Sequence, residues 1–120
     1  MDAPEFDGLV AEALDSLPPE IQDMMNNVQV VVEVEPTADQ LQALGPRGGT
    51  LLGLYQGVPL TERGNYDRML PDKITIFQGP ITRMTRSAEG IRSQVRKTVI
   101  HEIAHHFGIE ESRIHELGWG

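Results

Sequence analysis

His101-Glu-Ile-Ala-His105, with Gly108 and Glu111 behind it, is the most informative segment of this 120-residue chain. Residues four positions apart lie on one face of a helix, so the imidazoles of His101 and His105 can reach the same metal ion. Glu102 lies next to His101, where its carboxylate can take a proton from water that the metal activates. The H-E-x-x-H pattern therefore indicates a metal site with its own general base, provided that the segment is helical.

The surrounding sequence predicts that helix, from Ser87 to Phe107. The segment has no proline, and apolar residues recur at every fourth position: Val95, Val99, Ile103 and Phe107. Ser87 or Thr85 can cap its start, and Gly108 suits the left-handed position just past a helix C-terminus. A turn at Gly108 would redirect the chain so that Glu111 returns toward the two histidines as a third ligand.

Other candidates for the third ligand lie close by: Glu110, His115 and Glu116. We prefer Glu111 and treat His115 and Glu116 as rivals or as partners of the ligands. The chain has no cysteine, so any metal must be held by imidazole, carboxylate and water. The competing interpretation is that the histidines are only packed or solvated on the helix. His106 points away from the ligand stripe and is expected to be a packed or hydrogen-bonded histidine.

Residues 98–118 resemble the small bacterial minimal zincin family of metallopeptidases, and residues 70–81 resemble the edge-strand segment of that family. The family pattern is H-E-x-x-H-x-x-G-x-x-D/E. The resemblance implies a zinc ion held by His101, His105 and Glu111, with Glu102 as the catalytic carboxylate. The related metzincins have a methionine-containing turn below the metal, but this chain has no methionine after Met84. We therefore expect a site that lacks this supporting floor.

The sequence predicts one α+β domain over residues 1–120, with a sheet of about three strands packed on helices and the motif helix at the centre. Alternation of apolar and polar residues predicts strands at Val28–Glu35, Leu51–Gln56 and Lys73–Gln78. Helical spacing predicts the remaining elements, which are Pro4–Leu17 with Asp2 and Glu5 as capping pair, Glu20–Asn26, Thr37–Leu44 and Glu111–Leu117. Trp119 is expected to pack at the C-terminal end.

Two interpretations of the Lys73–Gln78 strand are open. As an edge strand, it can bind an extended peptide substrate by strand addition, as the family resemblance implies. Alternatively, Lys73, Gly79 and Pro80 only protect that edge from aggregation.

The charge is unevenly distributed along the chain. The net charge is −8, and residues 1–46 contain ten Asp or Glu and no Lys or Arg. This composition argues against nucleic-acid binding, which requires clustered cations. We expect a solvated acidic face that is attracted to the more basic segment behind it; a basic partner is the alternative. The first seven residues lack the features of a signal peptide, and no apolar run is long enough to span a membrane, which predicts a cytoplasmic protein without membrane association.

The predicted function is zinc-dependent hydrolysis of peptide bonds in a peptide or protein substrate. Glu102 would take the proton of the attacking water and return it to the leaving amine. Four side chains are candidates for stabilising the oxyanion: Tyr55, Tyr66, His106 and Arg113. The competing hypothesis is a non-catalytic binding or regulatory protein that keeps the zincin scaffold with weak metal binding or none. The presence of Glu102 favours the enzyme, because a purely structural site does not need that carboxylate.

Overall fold

The computed structural model describes residues 2–42, 51–57 and 71–119. These ranges contain six helices and three strands, in the order α1 (Ala3–Asp15), α2 (Pro19–Met24), β1 (Val28–Glu33), α3 (Ala38–Gln42), β2 (Gly53–Gln56), β3 (Asp72–Phe77), α4 (Gln78–Met84), α5 (Ala88–His106) and α6 (Glu111–Glu116). The α+β class is therefore confirmed. The predicted end of the third helix at Leu44 and the candidate side chain Tyr66 lie outside the described residues.

The helix starts follow the capping signals of the sequence. The carboxylate of Asp2 accepts a hydrogen bond of 2.9 Å from the backbone N–H of Glu5, which satisfies a donor that the first turn of α1 leaves unpaired. The hydroxyl of Ser87 does the same for the backbone N–H of Gly90 at the start of α5. Of the two cap candidates for the motif helix, the structure selects Ser87.

The sheet has the strand order β1-β3-β2. Strand β1 pairs with β3 in parallel and β2 pairs with β3 in antiparallel orientation, so that Val30 and Tyr55 both lie opposite Ile74. The prediction that Lys73–Gln78 is an edge strand is wrong, because β3 is the central strand and Gln78 already begins α4. Both edges of β3 are paired, so a peptide cannot add to it. Strand β3 has four consecutive buried residues, as is typical of a central strand that is covered on both faces: Ile74, Thr75, Ile76 and Phe77.

Helix α5 lies at the centre of the molecule. Its most extensive contacts are with α1, α2, α4, β2 and β3. Its buried residues recur at every fourth position, and Phe6 and Val10 of α1 belong to the same hydrophobic core. Phe107 departs from this pattern, because α5 ends at His106 and the Phe107 side chain is 50% exposed. Trp119 is buried in the core, as predicted.

Two ion pairs connect the acidic N-terminal part of the chain to the more basic part behind it. Arg92 of α5 contacts Glu12 of α1 at 3.1 Å, and Arg83 of α4 forms two hydrogen bonds with Glu35. The hydrogen bonds from Arg83 hold the pKa of the Glu35 carboxyl below its usual value. The pair therefore stabilises the fold above the ordinary pKa of a glutamate, and this stabilisation is lost as the pH falls. These contacts agree with the expected attraction between the two parts. None of the described helices has the length and hydropathy to cross a membrane.

Gly53 allows β2 to approach the motif helix closely. A Cβ atom at this position would lie 2.5 Å from the Cγ2 atom of Thr98 in α5 and 3.3 Å from the backbone oxygen of Thr75 in β3. The first distance is shorter than van der Waals contact permits, and Thr98 is itself buried. Any larger residue at position 53 would therefore push β2 away from α5.

We expect Gly53→Ala to lower the free energy of unfolding by about 1–3 kcal/mol, because the added methyl group overpacks the contact with Thr98. Gly8→Ala is the matched control, since a Cβ atom there meets nothing within 4 Å inside the helical segment α1. It should raise the free energy of unfolding by roughly 0.5–1 kcal/mol through helix propensity. Urea denaturation of both variants measures these changes. Equal effects of the two substitutions would contradict the close approach of β2 to α5.

Candidate active site

Helix α5 carries two neighbouring stripes of polar side chains on its surface. The first contains three exposed side chains at every fourth position: Lys97, His101 and His105. The second contains three side chains that contact β2: Thr98, Glu102 and His106. The two predicted histidine ligands therefore lie on the open stripe, and the predicted general base lies on the stripe that faces the sheet.

The structure places the three proposed ligands around one cavity at the C-terminal end of α5, where His101 contacts each of the other two. The imidazole rings of His101 and His105 are stacked, with their centroids 5.3 Å apart and an angle of 28° between their planes. The Nδ1 atom of His101 lies 3.3 Å from Oε2 of Glu111. The side chains of His101 and Glu111 are 50% and 64% exposed, so both are open to solvent.

The turn at Gly108 explains how Glu111 returns to the histidines. Gly108 has a φ of +74°, which is the left-handed conformation that glycine adopts without strain. Its N–H donates to the His105 carbonyl at 3.2 Å, and the N–H of Ile109 donates to the Ala104 carbonyl at 2.7 Å. These two bonds form a Schellman motif, which satisfies carbonyls that the end of α5 would leave unpaired. Helix α6 then begins at Glu111.

A second turn of the same kind ends α6, and it was not predicted from the sequence. Gly118 has a φ of +75°, and the N–H of Trp119 donates to the Ile114 carbonyl at 3.1 Å. The turn places Trp119 in the core, where its carbonyl accepts a hydrogen bond of 3.3 Å from Arg96 of α5. This contact fixes α6, and hence Glu111, relative to the motif helix. The available signal was a glycine directly after a short helical segment.

Two cavities lie next to the predicted ligands and share His101, Glu111 and Ile114 as lining residues. The first has a volume of about 580 Å³ and is also lined by Glu102 and Lys97, together with apolar side chains of the β2 segment, Leu51 and Leu52. The second, of about 520 Å³, contains His105 and the Gly108 turn. The four predicted site residues therefore line two adjacent cavities.

Glu102 is attached to the sheet by the backbone of β2. Its Oε1 atom accepts a hydrogen bond of 3.1 Å from the N–H of Tyr55, and its side chain is half-buried. The Tyr55 ring stacks on His106 with a centroid distance of 4.0 Å, and its hydroxyl donates to Asp72 at 2.6 Å. His106 is thus a packed histidine, as expected. Sequence reasoning missed Asp72, because the contact exists only once β2 and β3 have paired.

The other candidate residues are placed as follows. Arg113 forms an ion pair with Glu116 at 3.1 Å, which makes Glu116 less suitable as a third ligand. Glu110 lines the second cavity and His115 lines the first. Among the oxyanion candidates, Tyr55 and His106 stack on each other.

The three proposed ligands suit zinc in kind, since two imidazoles and one carboxylate form a common donor set for catalytic zinc. Over residues 2–42, 51–57 and 71–119, no three His, Cys, Asp or Glu side chains are already grouped around a point that could hold a metal ion. Both imidazoles and the Glu111 carboxylate are exposed. Their side chains can therefore rotate toward a common ion without displacing the core.

A sequence profile of the zincin-like metallopeptidases matches residues 25–119. The chain belongs to this family. The match confirms the resemblance inferred from the motif region, and a metallopeptidase is the activity for which the family is named. A conserved hypothetical protein from Thermus thermophilus has a similar solved structure, with a TM-score of 0.59 and 21% sequence identity over 89% of this chain and 94% of that one. This similarity concerns the fold alone. No curated protein matches the chain.

His106→Ala tests the contact between β2 and the motif helix of this zincin-like protein. Loss of the stacked ring should lower the free energy of unfolding by about 0.5–1.5 kcal/mol and speed hydrogen exchange of the Tyr55 amide, while His106→Phe should restore both. His115→Ala is the control, because this exposed histidine has no aromatic contact among the described residues. Exchange rates that are the same in the alanine and phenylalanine variants would show that the stack does not hold β2.

Proposed function

We propose that this zincin-like protein is a zinc-dependent peptidase in which His101, His105 and Glu111 hold the metal and Glu102 is the general base. One observation carries the proposal: the Glu102 carboxylate is held by the Tyr55 amide at the wall of a cavity that His101 and Glu111 also line. A base and two metal donors in one cavity are the groups that metal-assisted hydrolysis requires. The family match supports the same class of reaction.

The Tyr55 hydrogen bond gives the two oxygens of Glu102 different roles. Oε1 accepts the backbone N–H, and this bond limits rotation of the carboxylate. Oε2 then takes a proton from the attacking water and returns it to the nitrogen of the leaving amine. A bound zinc ion would supply a Lewis acid that makes water nucleophilic near neutral pH and polarises the scissile carbonyl. In this proposal the substrate occupies the cavity that Glu102, Leu51 and Leu52 line.

A peptide-binding protein without hydrolytic activity is the second candidate. It is favoured by the arrangement of the ligands, which are adjacent but not grouped around one point among the described residues. The missing methionine turn agrees with this alternative, because the site then depends on the Gly108 and Gly118 turns for its rigidity. Zinc content and hydrolysis by the same preparation distinguish the two functions.

Glu102→Gln should reduce peptide hydrolysis by a factor of at least about 10²–10⁴, which is the usual contribution of a general base. The amide oxygen of glutamine can still accept the Tyr55 hydrogen bond, so folding and zinc content should not change. The measurement is hydrolysis of a quenched fluorescent peptide library by both zinc-loaded proteins. Equal rates of hydrolysis by the wild type and Glu102→Gln would show that Glu102 is not the general base. A wild type that binds one zinc ion but does not hydrolyse any peptide would favour the peptide-binding protein.

Glu111→Ala should weaken zinc binding by more than about 100-fold, since loss of a ligand costs more than loss of a residue that only supports one. His115→Ala, which changes a rival side chain in the same cavity, should leave the affinity within a few-fold of wild type. Competition with a chromophoric chelator at neutral pH gives both affinities. The opposite result would be tight zinc binding by Glu111→Ala and weak binding by His115→Ala. It would identify His115 as the third zinc ligand.

A further inference from the structure

We propose that the 580 Å³ cavity beside Glu102 binds the carboxylate group of a peptide, and that Lys97 is the residue that recognises it. This inference rests on the proposed function, because it assigns a substrate class to the same cleft. It goes beyond that function by naming a specificity-determining residue. The supporting observations are the position of Lys97, the charges that line the cavity and its apolar wall.

Lys97 lies one helical turn before His101 on the open stripe of α5. Glu102 lies five residues after Lys97, which corresponds to a rise of about 7.5 Å along the helix axis. An extended peptide advances roughly 3.3 Å per residue, so this rise corresponds to about two residues. A peptide that runs along α5 with its scissile bond beside Glu102 therefore places a group about two residues away within reach of the lysine. The long side chain adds freedom to meet that group.

The charged groups of the cavity differ in whether they have partners. The Glu111 carboxylate contacts His101, and the Glu102 carboxylate accepts the Tyr55 N–H. The Lys97 ammonium group forms no hydrogen bond or salt bridge with any residue in the described ranges. Among the described residues that line the cavity, Lys97 therefore supplies a positive charge that no protein group neutralises and that a ligand can pair with.

The remaining wall of the cavity is largely apolar. Leu51 and Leu52, which precede β2, Ile100 of α5 and Ile114 of α6 all line it. Sites for small ligands commonly have this size, with an apolar lining and a few polar groups that set the orientation. The ligand that fits is a peptide with an apolar side chain close to a carboxylate. That carboxylate is either the C-terminus of the peptide or an Asp or Glu side chain.

Binding of short fluorescent peptides to zinc-loaded Glu102→Gln protein tests the inference without interference from hydrolysis. One pair of peptides differs only in a free or amidated C-terminus, and a second amidated pair differs only in an internal Glu or Gln. We expect a three- to ten-fold preference, roughly, for the carboxylate member of at least one pair, as for a partly exposed ion pair. The pair that shows the preference identifies the source of the carboxylate.

Charge variants assign the preference to its residue. Lys97→Gln should abolish it and Lys97→Glu should reverse it, whereas Arg86→Gln should retain it, because Arg86 is exposed and does not line the cavity. Circular dichroism verifies that all variants are folded. Equal binding of acid and amide peptides, failure of every peptide to bind, or an unchanged preference in Lys97→Gln would overturn the inference. If the wild type hydrolyses peptides but shows none of the expected preference, the proposed peptidase stands and only this inference fails. If the carboxylate preference is present but the wild type does not hydrolyse peptides, only the proposed peptidase fails.

Discussion

Burial of one side of α5 is the constraint on which the cleft depends. The residues Ile91, Val95, Val99 and Ile103 are fully buried against α1 and the sheet, and each contributes roughly 1.5–3 kcal/mol through the hydrophobic effect. The helix therefore cannot rotate about its axis, because a rotation would expose these side chains. Since successive residues are about 100° apart, the fixed core stripe also fixes the directions of His101, Glu102 and His105. The positions of the polar groups follow from the packing of the apolar ones.

Two glycines allow other segments to approach this fixed helix and form the cleft beside it, each by a different means. Gly53 has no side chain, so β2 approaches α5 closely enough for the Tyr55 amide to reach Glu102. Gly108 supplies a left-handed backbone conformation, so the chain reverses and carries Glu111 back to His101. Both effects are steric. They explain how a chain of 120 residues assembles a base and three potential ligands around one helix without disulfides or a methionine turn.

Local features of the sequence predicted most of what is local in the structure. The period of the apolar residues, the Asp2 and Ser87 caps and the Gly108 turn all depend on residues within a few positions of each other. Strand order could not be predicted in the same way, because β3 becomes central through pairing with strands that are distant in sequence. The stack of Tyr55 on His106 likewise joins residues 51 positions apart, and only the folded sheet brings them together. Phe107 was assigned to the core stripe because the exact helix end is difficult to predict.

The central claim is that one zinc ion binds between the two imidazoles of α5 and the carboxylate beyond the Gly108 turn. The most direct measurement is anomalous X-ray scattering at the zinc absorption edge, from crystals grown with zinc near neutral pH, where the imidazoles can ligate a metal. We expect a single strong peak about 2 Å from a nitrogen of His101, a nitrogen of His105 and an oxygen of Glu111. A peak on other residues, or no peak between the two imidazoles, would contradict the metal centre.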